Sequence, residues 1–191
     1  MSFARSDYNS AAYVRKNHFM NRSEININVK KGLKRFMALS LIALPITAYL
    51  IYLHFEPSAS TICTFSERFD CGIVNKSKYS ELLGVPVSIL GFLTYSVLFL
   101  SALGLYKDFR FQRFHKWLRP FHMLWLMFAL TAFGMVFSLY LTYVEAFVLN
   151  AWCIFCVTQQ VLIIMMTFVL LGILGAIDQE KKKNPDVCEF C

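Results

Sequence analysis

The hydrophobic residues of this chain are gathered into long blocks rather than dispersed along it. The blocks cover residues 36–55, 85–106, 121–143 and 151–177, and they contain almost no charged side chains. Each is about 20 residues or longer, and at a rise of about 1.5 Å per residue each can cross a hydrocarbon core of about 30 Å. The pattern predicts an all-α integral membrane protein, a bundle of four transmembrane helices with a long extracytoplasmic segment between the first two.

The polar segments around these blocks divide the chain into three parts. We interpret residues 1–35 as a cytoplasmic polar arm, residues 36–177 as the membrane domain and residues 178–191 as a cytoplasmic tail. Because the arm places the first block far from the N-terminus, we expect a retained signal anchor and not a cleaved signal peptide. With 57% hydrophobic and 16% charged residues, the composition excludes a disordered chain and disfavours a soluble domain.

The distribution of charge predicts the orientation of the bundle. Lysine and arginine are concentrated before the first block, between the second and third, and after the fourth. The segment at residues 56–84 offsets its few basic residues with acids, and the turn before the fourth block has none. By the positive-inside rule both termini are cytoplasmic and these two segments lie outside, in what we expect to be a bacterial inner membrane. We therefore expect the net charge of +7 to favour contact with anionic lipid, and we expect no nucleic-acid partner.

Candidate chemistry lies in the cysteines, which occur as three pairs: Cys63 and Cys71, Cys153 and Cys156, and Cys188 and Cys191. Cys153 and Cys156 fall at the expected start of the fourth helix, with Asn150 available as its N-cap. On such a helix the two sulfurs are one turn apart near the positive end of the dipole, which favours the thiolate and thiol–disulfide exchange. The alternative is that both pack as small buried hydrophobic residues.

Cys63 and Cys71 lie in the outer segment, on the same predicted side as Cys153 and Cys156. Two thiol pairs on one side can form a relay, in which one pair exchanges with a partner protein and the other with a membrane-soluble acceptor. A purely structural disulfide is one alternative. A non-catalytic site for a soft metal such as zinc or copper is another, although the spacing and the absence of a nearby histidine fit zinc poorly.

The order of these motifs resembles the vitamin K epoxide reductase family, bacterial members included. The resemblance covers about residues 36–177 and rests on Cys63-x7-Cys71, Ser77, Gly84-Val85-Pro86 and Cys153-Ile154-Phe155-Cys156-Val157-Thr158. It implies a quinone-dependent thiol–disulfide oxidoreductase. In that scheme Cys156 meets a quinone of the ubiquinone or menaquinone type, Cys153 is its disulfide partner, Cys71 attacks Cys153, and Cys63 receives electrons from the protein substrate.

Further site residues are implied by the same resemblance. Ser77 matches a serine that supports the active site. Vertebrate members have an asparagine and a tyrosine where this chain has Ser80 and Gln160, both of which can still hydrogen-bond to a quinone. These departures put epoxide reduction in doubt. Bacterial relatives often carry a fused thioredoxin-like domain; we expect none after the fourth helix here, and we therefore expect a separate thioredoxin-fold partner.

Two remaining features have simpler interpretations. Glu145 is the sole acid of the last outer turn, and we interpret it as a solvated boundary residue, with proton delivery to the quinone as the alternative. Cys188 and Cys191 lie on the predicted cytoplasmic side, where we expect an exposed and reduced pair without a role in the relay.

Overall fold

The computed structural model describes residues 3–56, 70–82, 84–107 and 120–183. The long helices are α1 (Phe3–Phe55), α3 (Val87–Tyr106), α4 (Pro120–Val144) and α5 (Ile154–Lys183). Among the described residues, four apolar stretches are long enough to cross a membrane: Ile27–Phe55, Val87–Tyr106, Phe121–Leu149 and Ile154–Gln179. The predicted four-helix membrane bundle is therefore confirmed.

The helix ends differ from the sequence-based expectations in two places. The first hydrophobic block is the C-terminal part of a longer helix, because α1 begins at Phe3. Asn150 was expected to cap the fourth helix, and this expectation is wrong: its φ of 50° and ψ of 28° place it in the left-handed region, where it ends the preceding helical turn. Asparagine tolerates that conformation better than most residues, so it can stop one helix while α5 begins four residues later.

Helix α1 packs mainly on α3 and α5, and α4 packs on α5, whereas α3 and α4 have little direct contact. The core between them is built from aliphatic side chains together with aromatic and methionine residues, among them Leu33, Phe36, Leu98, Met166 and Leu170. Gly32 lets α1 and α5 approach closely, since a Cβ atom there would lie 2.7 Å from Cγ1 of Ile173. This packing leaves a space between α3 and α4 near one end of the bundle.

That end, which we call the cysteine end, is covered by short elements from the segment after α1. They are α2 (Cys71–Asn75), a 3-10 turn (Lys78–Ser80) and the strands β1 (Glu81–Leu82) and β2 (Val85–Pro86), which pair antiparallel. The turn between the strands uses Gly84, whose φ of +79° is open to glycine at little cost. A π-helical turn (Glu145–Leu149) extends α4 at the same end. The turn after α4 and the segment after α1, which the charge pattern predicts to be the outer segment, therefore meet at this end of the bundle.

Candidate active site

Two cysteines distant in sequence meet at the cysteine end. Sγ of Cys71, the first residue of α2, lies 3.0 Å from Sγ of Cys153, 82 residues further along the chain. Both side chains are fully buried, in a small cluster with Leu50, Leu53 and Val74. Cys71 is in a disulfide, whereas Cys153 and Cys156 are both free thiols. A free thiol is thus in contact with a disulfide sulfur, as thiol–disulfide exchange requires.

Cys153 precedes the first residue of α5 and occupies its N-cap position. Its sulfur accepts a hydrogen bond from the backbone N–H of Cys156 at 3.4 Å, in the manner of a capping side chain. The side-chain hydrogen bond from Cys156 is the largest influence on the pKa of the Cys153 thiol and lowers it, against the opposing effect of burial. The pKa of the Cys153 thiol is therefore lower than that of an ordinary cysteine, which favours its thiolate.

The carboxylate of Glu145 lies behind the two free thiols. Its Oε2 accepts a hydrogen bond from the backbone N–H of Cys153 at 3.1 Å. Only 2% of Glu145 is exposed, although it belongs to the last turn of a candidate membrane span. The interpretation of Glu145 as a solvated boundary residue is therefore wrong, because the turn folds its side chain inward onto the cysteines.

A network of hydrogen bonds fixes the outer segment over the helices. Oδ1 of Asp70 caps α2 by accepting from the N–H groups of Gly72 and Ile73. Nδ2 of Asn75 donates to the carbonyl of Leu50 on α1 at 2.7 Å. The carbonyl of Asn75 in turn accepts from Nδ1 of His54, at 2.9 Å, so that this nitrogen carries the proton. Two contacts with α1 therefore hold α2 where Cys71 touches Cys153.

A second set of contacts closes the segment on itself and on α1. Oγ of Ser77 donates to the carbonyl of Val74, and Oγ of Ser80 donates to the carbonyls of Asn75 and Ser77. Nε2 of His54 lies 3.6 Å from a carboxylate oxygen of Glu81 in β1. These bonds hold the two serines at the boundary between the outer segment and the helices.

A cavity of about 400 Å³ lies beneath this segment and between α3 and α4. Its walls are mostly apolar, with Leu90, Leu130, Phe133, Phe137 and Ile163 among the lining residues. Polar lining residues from the segment after α1 and from the helix ends near the cysteines are Asn75, Ser77, Ser80, Ser88, Glu145, Cys156 and Gln159, and further polar lining residues are Thr47, Tyr79, Thr94, Tyr95, Ser138 and Thr142. Cys156 thus lies between the buried Cys153 and a mostly apolar cavity with a few polar groups, the form that small-molecule sites usually take.

Two polar atoms at the cavity are buried without a hydrogen-bond partner, namely Oγ of Ser88 and Oε1 of Gln159. The amide of Gln159 is oriented by its other end, because Nε2 donates to the carbonyl of Ala43 on α1 at 3.0 Å. An unpaired buried polar atom costs free energy of about 1–3 kcal/mol, so both atoms are expected to pair with a ligand. One is an acceptor and the other can both donate and accept, which suits oxygen atoms in either redox state of a quinone.

The residues predicted as site residues are placed as follows. Cys71, Cys153 and Cys156 come together, and Ser77 and Ser80 line the cavity beside them. Gln160 instead contacts Thr142 on α4 through its side-chain oxygen and does not line the cavity. Cys63, Cys188 and Cys191 lie outside the described residues.

Sequence reasoning did not single out Asn75, Ser88 or Gln159. The signal available for the last two was a polar side chain within the first two turns of an otherwise apolar helix at the cysteine end. Gln159 and Gln160 carry the same signal, and only the rotation of α5 relative to its neighbours decides which of them faces the cavity. Among the described residues no group of three histidine, cysteine or acidic side chains is arranged to hold a metal ion.

The sequence was also compared with models of known protein families. The model described as "Vitamin K epoxide reductase family" matches residues 35–171. The matched region takes in α1 from its apolar part onward, the whole outer segment, α3, α4 and most of α5, so it contains every described residue of the site.

Proposed function

The chain belongs to the vitamin K epoxide reductase family of membrane thiol–disulfide oxidoreductases, and we propose that it couples disulfide formation in a partner protein to reduction of a membrane quinone. The contact that carries this proposal is the 3.0 Å approach of Cys71 to Cys153, with Cys156 beyond it at the cavity. Three sulfurs in succession connect the outer segment to a space that opens among membrane helices.

The relay proceeds by ordinary exchange of disulfide bonds. The thiolate of Cys71 attacks Sγ of Cys153, which breaks the Cys153–Cys156 bond and leaves Cys156 as a thiol. A second thiol of the outer segment, which the family resemblance assigns to Cys63, then attacks Cys71 and releases Cys153. The products are a disulfide at Cys71 and free thiols at Cys153 and Cys156, which is the arrangement of these three sulfurs in the structure.

The residues around the cavity fit a quinone. An apolar chamber of about 400 Å³ suits an aromatic ring with an apolar tail, and the unpaired atoms of Ser88 and Gln159 suit its oxygens. Ser80 and Asn75 line the same cavity. A bound quinone supplies the acceptor for two electrons and two protons, while these side chains hold it beside Cys156. Its type, ubiquinone or menaquinone, is left open in this proposal.

The electron donor in this proposal is a separate thioredoxin-fold protein on the outer side of a bacterial inner membrane, with both termini of this chain in the cytoplasm. Burial of Cys71 and Cys153 supports the need for an intermediary, because a folded donor protein cannot reach either sulfur directly. After reduction of intact cells, an impermeant thiol reagent should label Cys63 and not Cys188 or Cys191. Labelling of the terminal pair from outside would contradict the orientation.

The test of the function is reduction of a short-chain quinone by a small dithiol, followed spectroscopically with the full chain in nanodiscs. Both Cys153→Ala and Cys156→Ala should abolish the reaction, because the one cysteine of the pair that remains in each variant has no partner with which to form a disulfide. Cys188→Ala and Cys191→Ala are the matched controls and should retain the wild-type rate. A wild-type protein that consumes no quinone, or full activity in either of the first two variants, would refute the proposal.

A further inference from the structure

Glu145 is the one acidic residue in the Phe121–Leu149 span, which holds no Lys or Arg, and among the described residues it is the only Asp, Glu, Lys or Arg that lines the cavity. Removing a carboxylate from water is costly, and acids kept within membrane spans are by default functional. It lies in a π-helical turn, a local departure from α-helix that often occurs at functional sites. Its position therefore calls for more than a boundary role.

A structural role is the simplest account of Glu145. Its Oε2 accepts the hydrogen bond from the N–H of Cys153 and so satisfies one of the unpaired donors at the start of α5. That bond needs only a neutral acceptor, which a glutamine would supply at the same place. The position of Glu145 goes beyond this role, because Glu145 and Cys156 line the same cavity and a proton acceptor therefore lies at the cavity together with the thiol.

We propose that Glu145 is a catalytic residue, the base that takes the proton of the Cys156 thiol and delivers it to the quinone oxygen as that oxygen gains charge. The inference rests on the proposed function and adds the route of a proton to it. The other titratable side chains at the cavity are Tyr79 and Tyr95, and Cys153 is the one titratable group behind it that contacts Cys156. None of these three combines the basicity of a carboxylate with a place in the cavity lining and a hydrogen bond to the backbone of the Cys153–Cys156 turn.

The step balances as follows. The S–H bonds of Cys153 and Cys156 break, the bond between their sulfurs forms, and the electron pair released goes to the quinone. The proton of Cys156 moves to a carboxylate oxygen of Glu145 and from there to one quinone oxygen. The proton of Cys153 leaves to water before the step, and one proton from water reaches the second oxygen. Two thiols and a quinone thus give a disulfide and a hydroquinone.

The test uses Glu145→Gln, which keeps an oxygen to accept from the N–H of Cys153 but cannot carry a proton. Asp178→Asn, which removes an exposed carboxylate near the far end of α5, is the matched control. In single-turnover experiments with the prereduced protein, quinone reduction should slow by about 10²–10⁴-fold in Glu145→Gln, the usual contribution of general acid–base catalysis. The control should match the wild type.

A second readout needs no quinone. Alkylation of Cys156 by N-ethylmaleimide is measured against pH, with Cys153→Ser in every protein so that no second thiolate titrates nearby. Transfer of the thiol proton to Glu145 makes the rate independent of pH between the ionisations of the carboxyl and the thiol. In Glu145→Gln this plateau should vanish, and the rate should rise by roughly tenfold per pH unit as thiolate accumulates.

The two proposals fail in distinguishable ways. Wild-type protein that reduces no quinone refutes the function, whereas normal quinone reduction in Glu145→Gln refutes only the role of Glu145. A plateau in the alkylation profile that persists in Glu145→Gln also refutes the catalytic role, and Glu145 would then serve only to accept the hydrogen bond from the N–H of Cys153. If Glu145→Gln does not fold, the Cys153→Ser protein with its glutamate intact still decides the matter, because an alkylation profile without a plateau overturns the proposal.

Discussion

Asn75 should control how often Cys71 meets Cys153. Asn75 is only 7% exposed, and its Nδ2 donates a side-chain hydrogen bond from α2 to the carbonyl of Leu50 on α1 at 2.7 Å. Replacement by alanine removes the donor and opens a small gap. Loss of one partner of a buried hydrogen bond costs about 1–3 kcal/mol, which corresponds to about 5–150-fold in an equilibrium. We expect this cost to fall on docking of the outer segment.

The assay uses competition between two disulfides. The protein carries Cys63→Ala, so that three cysteines of the site remain, and it is oxidised until these three share one disulfide. Cys153 can then pair with Cys71 or with Cys156. The first pairing requires a docked segment and the second does not. Peptide mass spectrometry without reduction gives the ratio of the two species at equilibrium. Asn75→Ala should lower the fraction of Cys71–Cys153 by up to the factor above, and it should leave reduction of Cys153–Cys156 by a small dithiol within about twofold.

Ser96→Ala is the matched control, because Oγ of Ser96 donates only to the carbonyl of Phe92 within α3. It should leave the ratio of the two disulfides unchanged. The reasoning is refuted if Asn75→Ala has the wild-type ratio, or if Ser96→Ala lowers the ratio as much. Loss of quinone reduction with small dithiols in Asn75→Ala would show instead that the variant damages the cavity.

Two further predictions follow from single atoms at the site. Ser88→Ala should raise the KM for quinone by about fivefold, because about 1 kcal/mol is lost with one hydrogen bond. The stability of the ligand-free protein should stay equal or rise, because the substitution removes a buried unpaired oxygen. A lower stability with unchanged KM would contradict the assignment. The pKa of Cys153, read from thiolate ultraviolet absorbance against a Cys153→Ala blank, should rise in Cys156→Ala, so that less thiolate is present at neutral pH. Cys156→Ser, which keeps a donor, should show the smaller rise; equal values in the two variants would contradict the role of the hydrogen bond.

The helices could be predicted from the sequence because length and apolar composition alone are sufficient for a membrane span. The outer segment could not, because its shape depends on partners far along the chain. The donor from Asn75 finds its acceptor on Leu50, and Cys71 finds Cys153 across 82 residues. The role of Asn150 at the end of the turn after α4 could not be predicted either, because the sequence does not distinguish an asparagine in the left-handed conformation from one that caps a helix.

The direction of the polar side chains inside the bundle was the second feature that could not be predicted from the sequence. In an apolar helix the sequence shows that Gln159 and Gln160 are unusual, but the hydrophobic residues surround the helix and leave no stripe from which its rotation could be read. The structure resolves the pair through contacts, because Gln159 reaches α1 and the cavity while Gln160 reaches Thr142. Glu145 posed the same problem, and the inward direction of its side chain depends on the π-helical turn.

The burial of the sulfurs bears on how two half-reactions can share one small bundle. In the proposed function, thiols outside the membrane and a quinone inside it must not react with each other directly, and each must meet only its own cysteine. Cys71 and Cys153 are both fully buried, whereas Cys156 borders the cavity. In the proposed relay, electrons must therefore pass through the Cys71–Cys153 contact, which exists only while Asn75 and His54 hold α2 against α1. Docking of the segment then both completes the relay and covers the cavity. A variant that weakens this docking should therefore lose the coupling between protein oxidation and quinone reduction before it loses either reaction alone.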